Sequence, residues 1–91
     1  MTVVNIPKNL ITNYLARRHI DYQNCTAAII NKDFDTVTRI AHQIKGNALS
    51  FGFNNLGNIA INLEKSALKK DIHNLNLIMN EFSIFLTNHK I

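Results

Sequence analysis

The sequence has little of what normally divides a chain into short elements. Among its 91 residues there is no tryptophan, one proline (Pro7) and three glycines, all between positions 46 and 57. Turns between strands rely on glycine and proline, so their scarcity argues against many short strands and favours long helices. The length suits one domain with a modest core, and we expect residues 1–91 to form a single domain.

Cysteine and long apolar runs are also scarce. Cys25 is the only cysteine and cannot form an internal disulfide, which fits a reducing compartment. Its place on an apolar helical stripe predicts a small buried side chain and not a reactive thiol. No apolar run approaches the roughly 18 residues that span a bilayer, and the N-terminal residues do not resemble a signal peptide. We therefore expect a cytoplasmic protein without membrane insertion.

The charge pattern bears on nucleic-acid binding. The net charge is +4, but the ten Lys and Arg residues are scattered, and the only adjacent pairs are Arg17-Arg18 and Lys69-Lys70. Basic residues neither alternate with aromatic ones nor cluster on one helix face, so we expect no nucleic-acid partner. A mildly basic surface would suit an acidic protein partner equally well. A small basic helical nucleic-acid-binding protein remains the alternative function.

Apolar spacing divides the chain into four helical stretches. We expect helices over about residues 8–30, 34–51, 54–69 and from 72 to near the C-terminus. Asp33 and Asp71 are good N-caps, and Gly52 offers a left-handed stop to the second helix. Arg18 interrupts the apolar stripe of the first helix, where we expect a bend or a change of face. Four amphipathic helices with short connections predict an all-α fold, an up-down antiparallel four-helix bundle.

The second helix carries the most informative residues. At 100° per residue, its apolar stripe centres roughly 130° from His42, which is therefore predicted to be exposed. Arg39, Lys45 and Gly46 lie three or four residues away and share its face. A glycine inside a helix destabilises it by about 0.5–1 kcal/mol relative to alanine. Gly46 therefore indicates that a partner needs open space beside the imidazole.

Several chemistries are disfavoured at His42. A metal site needs further ligands, but His19, His73 and His89 fall on other predicted helices, where we expect them to be solvated. No Ser-His-Asp pattern and no phosphate-binding glycine-rich loop is recognisable. An exposed imidazole can act as a nucleophile towards an activated phosphoryl group. Lys45 and Arg39 could then stabilise the added negative charge, although an incidental surface histidine remains the alternative.

The run from His42 to Ala48, followed by Phe51-Gly52, resembles the signature of histidine phosphotransfer (HPt) domains. That signature is approximately His-x-Leu-Lys-Gly, a small or polar residue, then Ala or Ser. Ile44 stands at the usual leucine, and Asn47 stands where serine is common. Leu63-Glu64 and Ala67 also look like the family's third helix. The resemblance covers most of the chain and likewise implies a four-helix bundle.

The resemblance implies a role in a phosphorelay. Such domains accept a phosphoryl group from an aspartyl phosphate of one receiver and pass it to an aspartate of another. His42 would carry the group at Nε2, Lys45 would stabilise its oxygens, and Gly46 would clear space, with Gln43 nearby. The implied partners are response-regulator receiver domains and a hybrid sensor histidine kinase. The domain would be neither a kinase nor a metal site and would have no cofactor of its own, because Mg²⁺ belongs to the receiver.

Leu49 extends this face. It lies two turns beyond His42 and within about 20° of it on the helix, well off the apolar stripe. Either a docked receiver or the end of a neighbouring helix could cover it. A further alternative is an HPt-like scaffold that binds a receiver or kinase without transferring phosphate.

Overall fold

The computed structural model describes residues 6–89. Its helices are α1 (Lys8–Ile30), α2 (Phe34–Ala48), α3 (Asn54–Leu68) and α4 (Ile72–Asn88), with a short 3₁₀ turn, Leu49–Phe51, directly after α2. No strand occurs in this part of the chain. Each helix packs against the next along the chain, and α4 packs against α1. The prediction of an all-α four-helix bundle is confirmed.

Side-chain contacts define the direction of the helices. Tyr14, in the first half of α1, stacks on Phe51 just after α2, with ring centroids 4.1 Å apart. Phe53, just before α3, meets Phe85 near the end of α4 at 5.6 Å. The start of α1 therefore lies beside the end of α2, and the start of α3 lies beside the end of α4. This is the predicted up-down antiparallel arrangement.

Two of the interhelical turns use the same device. Lys32 after α1 and Lys70 after α3 adopt left-handed conformations, with φ of 56° and 55°. The next residue in each case, Asp33 or Asp71, returns its N–H to a carbonyl five residues back, which closes the ending helix. The same aspartates accept the backbone N–H three residues on, at 3.2 and 3.0 Å, and so cap α2 and α4 as predicted.

The end of the second helix differs from the prediction. The α-helix stops at Ala48, and residues 49–51 form a tighter 3₁₀ turn. Gly52 then takes the predicted left-handed conformation at φ 81°, and Phe53 donates its N–H to the Ala48 carbonyl. The tighter turn places Phe51 against Tyr14 instead of continuing the regular spacing of the helix.

The core lies along the axis of the bundle, where all four helices contribute aliphatic and aromatic side chains. Phe82 is the largest fully buried side chain, and its ring packs nearly perpendicular to that of Tyr22, with ring centroids 5.5 Å apart. Cys25 is fully buried, and burial raises the pKa of its thiol to about 12. It is therefore a small core side chain, as predicted, with almost no thiolate available for reaction.

The predicted change of face at Arg18 does not occur in α1. The helix continues through Arg18, and this residue lies on the buried face with only 7% of its surface exposed. Arg18 Nε forms an ion pair with Asp21 at 2.8 Å, without hydrogen-bond geometry, while Nη1 donates to Asn47 Oδ1 at 3.4 Å. The guanidinium also lies over the Tyr14 ring at 4.4 Å. These partners replace the water that a buried cation loses, so no change of face is needed.

Candidate functional site

His42 projects from the middle of α2, and its side chain is 69% exposed, as predicted. Its Nδ1 lies 3.0 Å from Oε2 of Glu64 on α3. An ionised carboxylate can only accept, so Nδ1 is the protonated nitrogen and donates. In the neutral imidazole the unprotonated nitrogen is then Nε2, for which residues 6–89 provide no hydrogen-bond partner. The contact leaves a nucleophilic lone pair available to an incoming group.

Glu64 binds two functional side chains at once. Its Oε1 accepts from Lys45 Nζ at 2.7 Å while Oε2 accepts from His42. The Lys45 hydrogen bond is the main reason that the Glu64 pKa lies below its usual range; burial opposes it, and the His42 hydrogen bond lowers the pKa further. At neutral pH this carboxylate is therefore ionised. From the sequence, Glu64 was identified only as part of the family resemblance, and its contact with His42 was not predicted.

Gly46 lies on the outer surface of α2. A Cβ placed there would have no heavy atom within 4 Å, and its φ is not left-handed. Neither a backbone constraint nor a close helix contact therefore requires glycine at this position. The open space agrees with the predicted need for clearance. By contrast, Gly57 is buried, and a Cβ placed there would lie 3.8 Å from Ala48 Cβ, in ordinary van der Waals contact with α2.

The predicted binding residues fall into two places. A shallow depression of about 490 Å³ contains the His42 imidazole. Its lining is Asp35, Thr38, Arg39, His42, Gln43 and Glu64. Arg39 and Gln43 therefore do lie beside His42, as predicted. Leu49 lies outside this depression and is 63% exposed, so no helix in residues 6–89 covers it.

The other histidines have different surroundings. The expectation that His89 is solvated is wrong. Its ring stacks on Phe85 with centroids 4.2 Å apart, and its Nδ1 donates to the Phe85 carbonyl at 2.8 Å. His73 is exposed. Within residues 6–89, no three side chains of the His, Cys, Asp or Glu types gather to hold a metal ion. None of the described helices is both long and apolar enough to cross a membrane.

Comparison with known proteins gives independent evidence on the family of this chain. The chain matches the family described as Hpt domain over residues 9–85, which include all of α2 and α3 and the whole His42–Lys45–Glu64 cluster. Neither a curated protein nor a solved structure matches it. The Hpt domain is a phosphotransfer carrier module of phosphorelays and not a kinase. Because the match covers most of the sequence, the chain belongs to the Hpt domain family.

Proposed function

We propose that His42 carries the phosphoryl group, accepting it at Nε2 from an aspartyl phosphate of one receiver domain and passing it to an aspartate of another. The observation that supports this most strongly is the contact between His42 Nδ1 and Glu64, 3.0 Å long, on a side chain that is otherwise exposed. It selects the tautomer whose lone pair is on Nε2. A rigid helix holds the ring, which suits alignment with a docked partner.

The transfer step can be written on the His42 ring. The Nε2 lone pair attacks phosphorus, the bond between phosphorus and the aspartate oxygen breaks, and the carboxylate leaves with the electron pair. Nδ1 keeps its proton, so the phosphorylated ring gains positive charge beside the Glu64 carboxylate. Attack by the next receiver's aspartate on the same phosphorus returns the lone pair to Nε2. No proton has to leave the ring in either direction.

Lys45 supplies charge near the phosphoryl oxygens. Its ammonium is one helical turn from His42 and is held by the same carboxylate at 2.7 Å. A cation already fixed in place loses little freedom when negative charge arrives. The receiver would contribute its own acidic pocket and Mg²⁺, which this chain does not need to provide. We accordingly propose a cytoplasmic carrier that works with receivers and a hybrid sensor histidine kinase, without kinase activity of its own.

A transfer assay tests the proposal. A purified hybrid sensor kinase from the host with radiolabelled ATP, or receivers that such a kinase has already labelled, should label the wild-type chain and not His42→Gln. His73→Gln is the matched control, because it removes another exposed histidine and should leave labelling unchanged. Equal labelling of His42→Gln and wild type would contradict the proposal. Receiver binding without any labelling would instead support the scaffold alternative.

A further inference from the structure

A second depression lies between α1 and α2, with a volume of about 510 Å³. Arg17 and Ile20 of α1 and Arg39 and Gln43 of α2 are among the residues that line it, and we call it the α1–α2 groove. Arg39 and Gln43 also line the depression around His42, so the two depressions adjoin each other at these side chains of α2. A partner centred on His42 could therefore extend into the groove.

The charges in the α1–α2 groove are unequally satisfied. Both carboxylates in its lining have partners: Asp21 pairs with Arg18 at 2.8 Å, and Asp33 accepts the Thr36 hydroxyl at 2.6 Å as the N-cap of α2. Arg17 and Arg39 are exposed, and within residues 6–89 neither lies within ion-pair distance of a carboxylate. Among the described residues, the groove therefore offers two guanidinium groups outside ion pairs, beside one exposed carboxylate, Asp33, whose oxygens Thr36 holds at the start of α2.

The chemistry of the groove favours a protein carboxylate as its ligand. Guanidinium groups bind carboxylates through paired, charge-assisted hydrogen bonds. Ile20 is exposed at the same groove and could pack against an apolar residue of the same segment. A nucleic-acid backbone would need a longer run of cations than the two guanidinium groups of this groove.

We infer that the α1–α2 groove binds an acidic segment of the receiver that exchanges phosphate with His42, with Arg17 and Arg39 contacting its carboxylates. This inference rests on the proposed function. Arg17 is then a positioning and specificity residue, since it does not line the depression around His42. Receivers that lack acidic residues at this place would dock less often in the orientation that brings their aspartate to Nε2.

Charge reversal at Arg17 tests the inference. We compare Arg17→Glu with Lys8→Glu, which makes the same charge change at an exposed position of α1 outside the groove. The donor is the host receiver that labels the wild type fastest, used below saturation at low and at high salt. Arg17→Glu should slow transfer about tenfold or more at low salt, with a smaller difference at high salt, and Lys8→Glu should change it less than about twofold.

Labelling by phosphoramidate, a small phosphodonor that needs no docking, separates the possible outcomes. It should be equal in all three proteins, because His42, Lys45 and Glu64 are intact. Equal receiver rates for Arg17→Glu and Lys8→Glu, or a matching loss with phosphoramidate, would overturn the inference while the proposed function stands. If an oligonucleotide binds the wild type but not Arg17→Glu and the receiver rates agree, the groove is a nucleic-acid site and the inference is wrong. If no receiver labels the wild type, the proposed function fails and the inference fails with it.

Discussion

On two sides of α2 a cation meets a carboxylate in very different surroundings. Towards α3, Lys45 pairs with Glu64 at 2.7 Å, and the Lys45 side chain is 37% exposed. Towards α1, Arg18 pairs with Asp21 at 2.8 Å beside Asn47, and Arg18 is almost fully buried. The two carboxylates are similarly shielded, at 16% and 21% exposed, so the pairs differ in their cations. Breaking a pair that contains a buried cation is costly, whereas a pair whose cation reaches solvent contributes less to stability. The first cluster is therefore free to serve chemistry, and the second specifies how α1 packs on α2.

The motif that begins at His42 contributes residues to both sides of α2. His42, Lys45 and Gly46 belong to the exposed face, but Asn47, the next residue, accepts the Tyr14 hydroxyl at 2.5 Å on the opposite side. One short run of residues thus contains both the reactive group and a buried contact between helices. Substitutions on the exposed side should change transfer and alter stability by no more than about 1 kcal/mol, and those on the buried side should change stability and leave the chemistry at His42 intact.

The largest expected effect is on the buried side. Arg18→Met should lower the free energy of unfolding by about 2–4 kcal/mol, because Asp21 and Asn47 lose their cationic partner within the protein. Urea unfolding measures the change, and Arg17→Met is the matched control, expected within about 0.5 kcal/mol. Phosphoramidate labelling of the folded fraction should not change. Equal stability of the two variants would show that the buried Arg18–Asp21 pair does not hold the helices together, and would contradict the comparison with the Lys45–Glu64 pair.

Lys45→Ala should have the largest effect on the exposed side after loss of His42 itself. We expect transfer from a receiver to slow by about 10–100-fold, because the phosphoryl oxygens lose a fixed counter-charge. Stability should change by less than about 1 kcal/mol. Lys65→Ala, at another exposed lysine, is the control and should transfer normally. A large loss of stability without a loss of rate would make Lys45 a structural residue.

Glu64→Ala should slow transfer by about tenfold, a smaller effect than the loss of Lys45, because the ring remains but is no longer oriented. Nitrogen-15 NMR of His42 tests the reason: the neutral wild-type ring should carry its proton on Nδ1, and the variant should shift towards the Nε2–H form. Glu81→Ala, at an exposed glutamate of α4, should alter neither. An unchanged tautomer in Glu64→Ala would rule out the positioning role.

Gly46→Ala should separate stability from docking in a single variant. Because a Cβ would meet nothing within 4 Å, alanine should stabilise α2 by about 0.5–1 kcal/mol. Transfer from a receiver should nevertheless slow, while phosphoramidate labelling should not. The variant is assayed with both donors and by urea unfolding. Normal receiver transfer by the stabilised variant would show that clearance at this position is not required.

The smallest effect concerns pH. The folded-state pKa of Glu64 is lowered, so its pairing stabilises the protein fully above the ordinary glutamate value of about 4.3 and is lost as the pH falls through the folded value. Wild type should therefore exceed Glu64→Gln in stability slightly at neutral pH, and the difference should shrink in acid. Unfolding curves of both proteins across this range measure it. A difference that grows in acid would contradict the assigned direction.

Local patterns predicted most of the fold. The bounds of α1 follow from the spacing of its apolar residues, and the caps at Asp33 and Asp71 follow from hydrogen bonds to residues three positions further on. Both signals are contained in a few consecutive residues. Arg18 was misplaced because its partners include Asn47, 29 residues away, and no local pattern reports that contact. The 3₁₀ turn after Ala48 likewise depends on packing of Phe51 against α1.

The candidate site was predictable only in part. Exposure of His42 and open space at Gly46 follow from the geometry of one helix. The contact between His42 and Glu64 spans 22 residues and depends on the register of α2 against α3. Likewise, Arg17 and Arg39 meet at one groove only because α1 packs beside α2. The features that could not be predicted from the sequence are therefore those that depend on how two helices pack together.

The position of the phosphoryl group tests the central claim most directly. The wild-type chain, phosphorylated by a receiver, is analysed by peptide mapping and by phosphorus-31 and nitrogen-15 NMR at neutral to alkaline pH, where phosphohistidine survives. We predict a single phosphoryl group on His42, bonded to Nε2, with Nδ1 facing Glu64. Phosphate on another residue, or on Nδ1 of His42, would contradict the account.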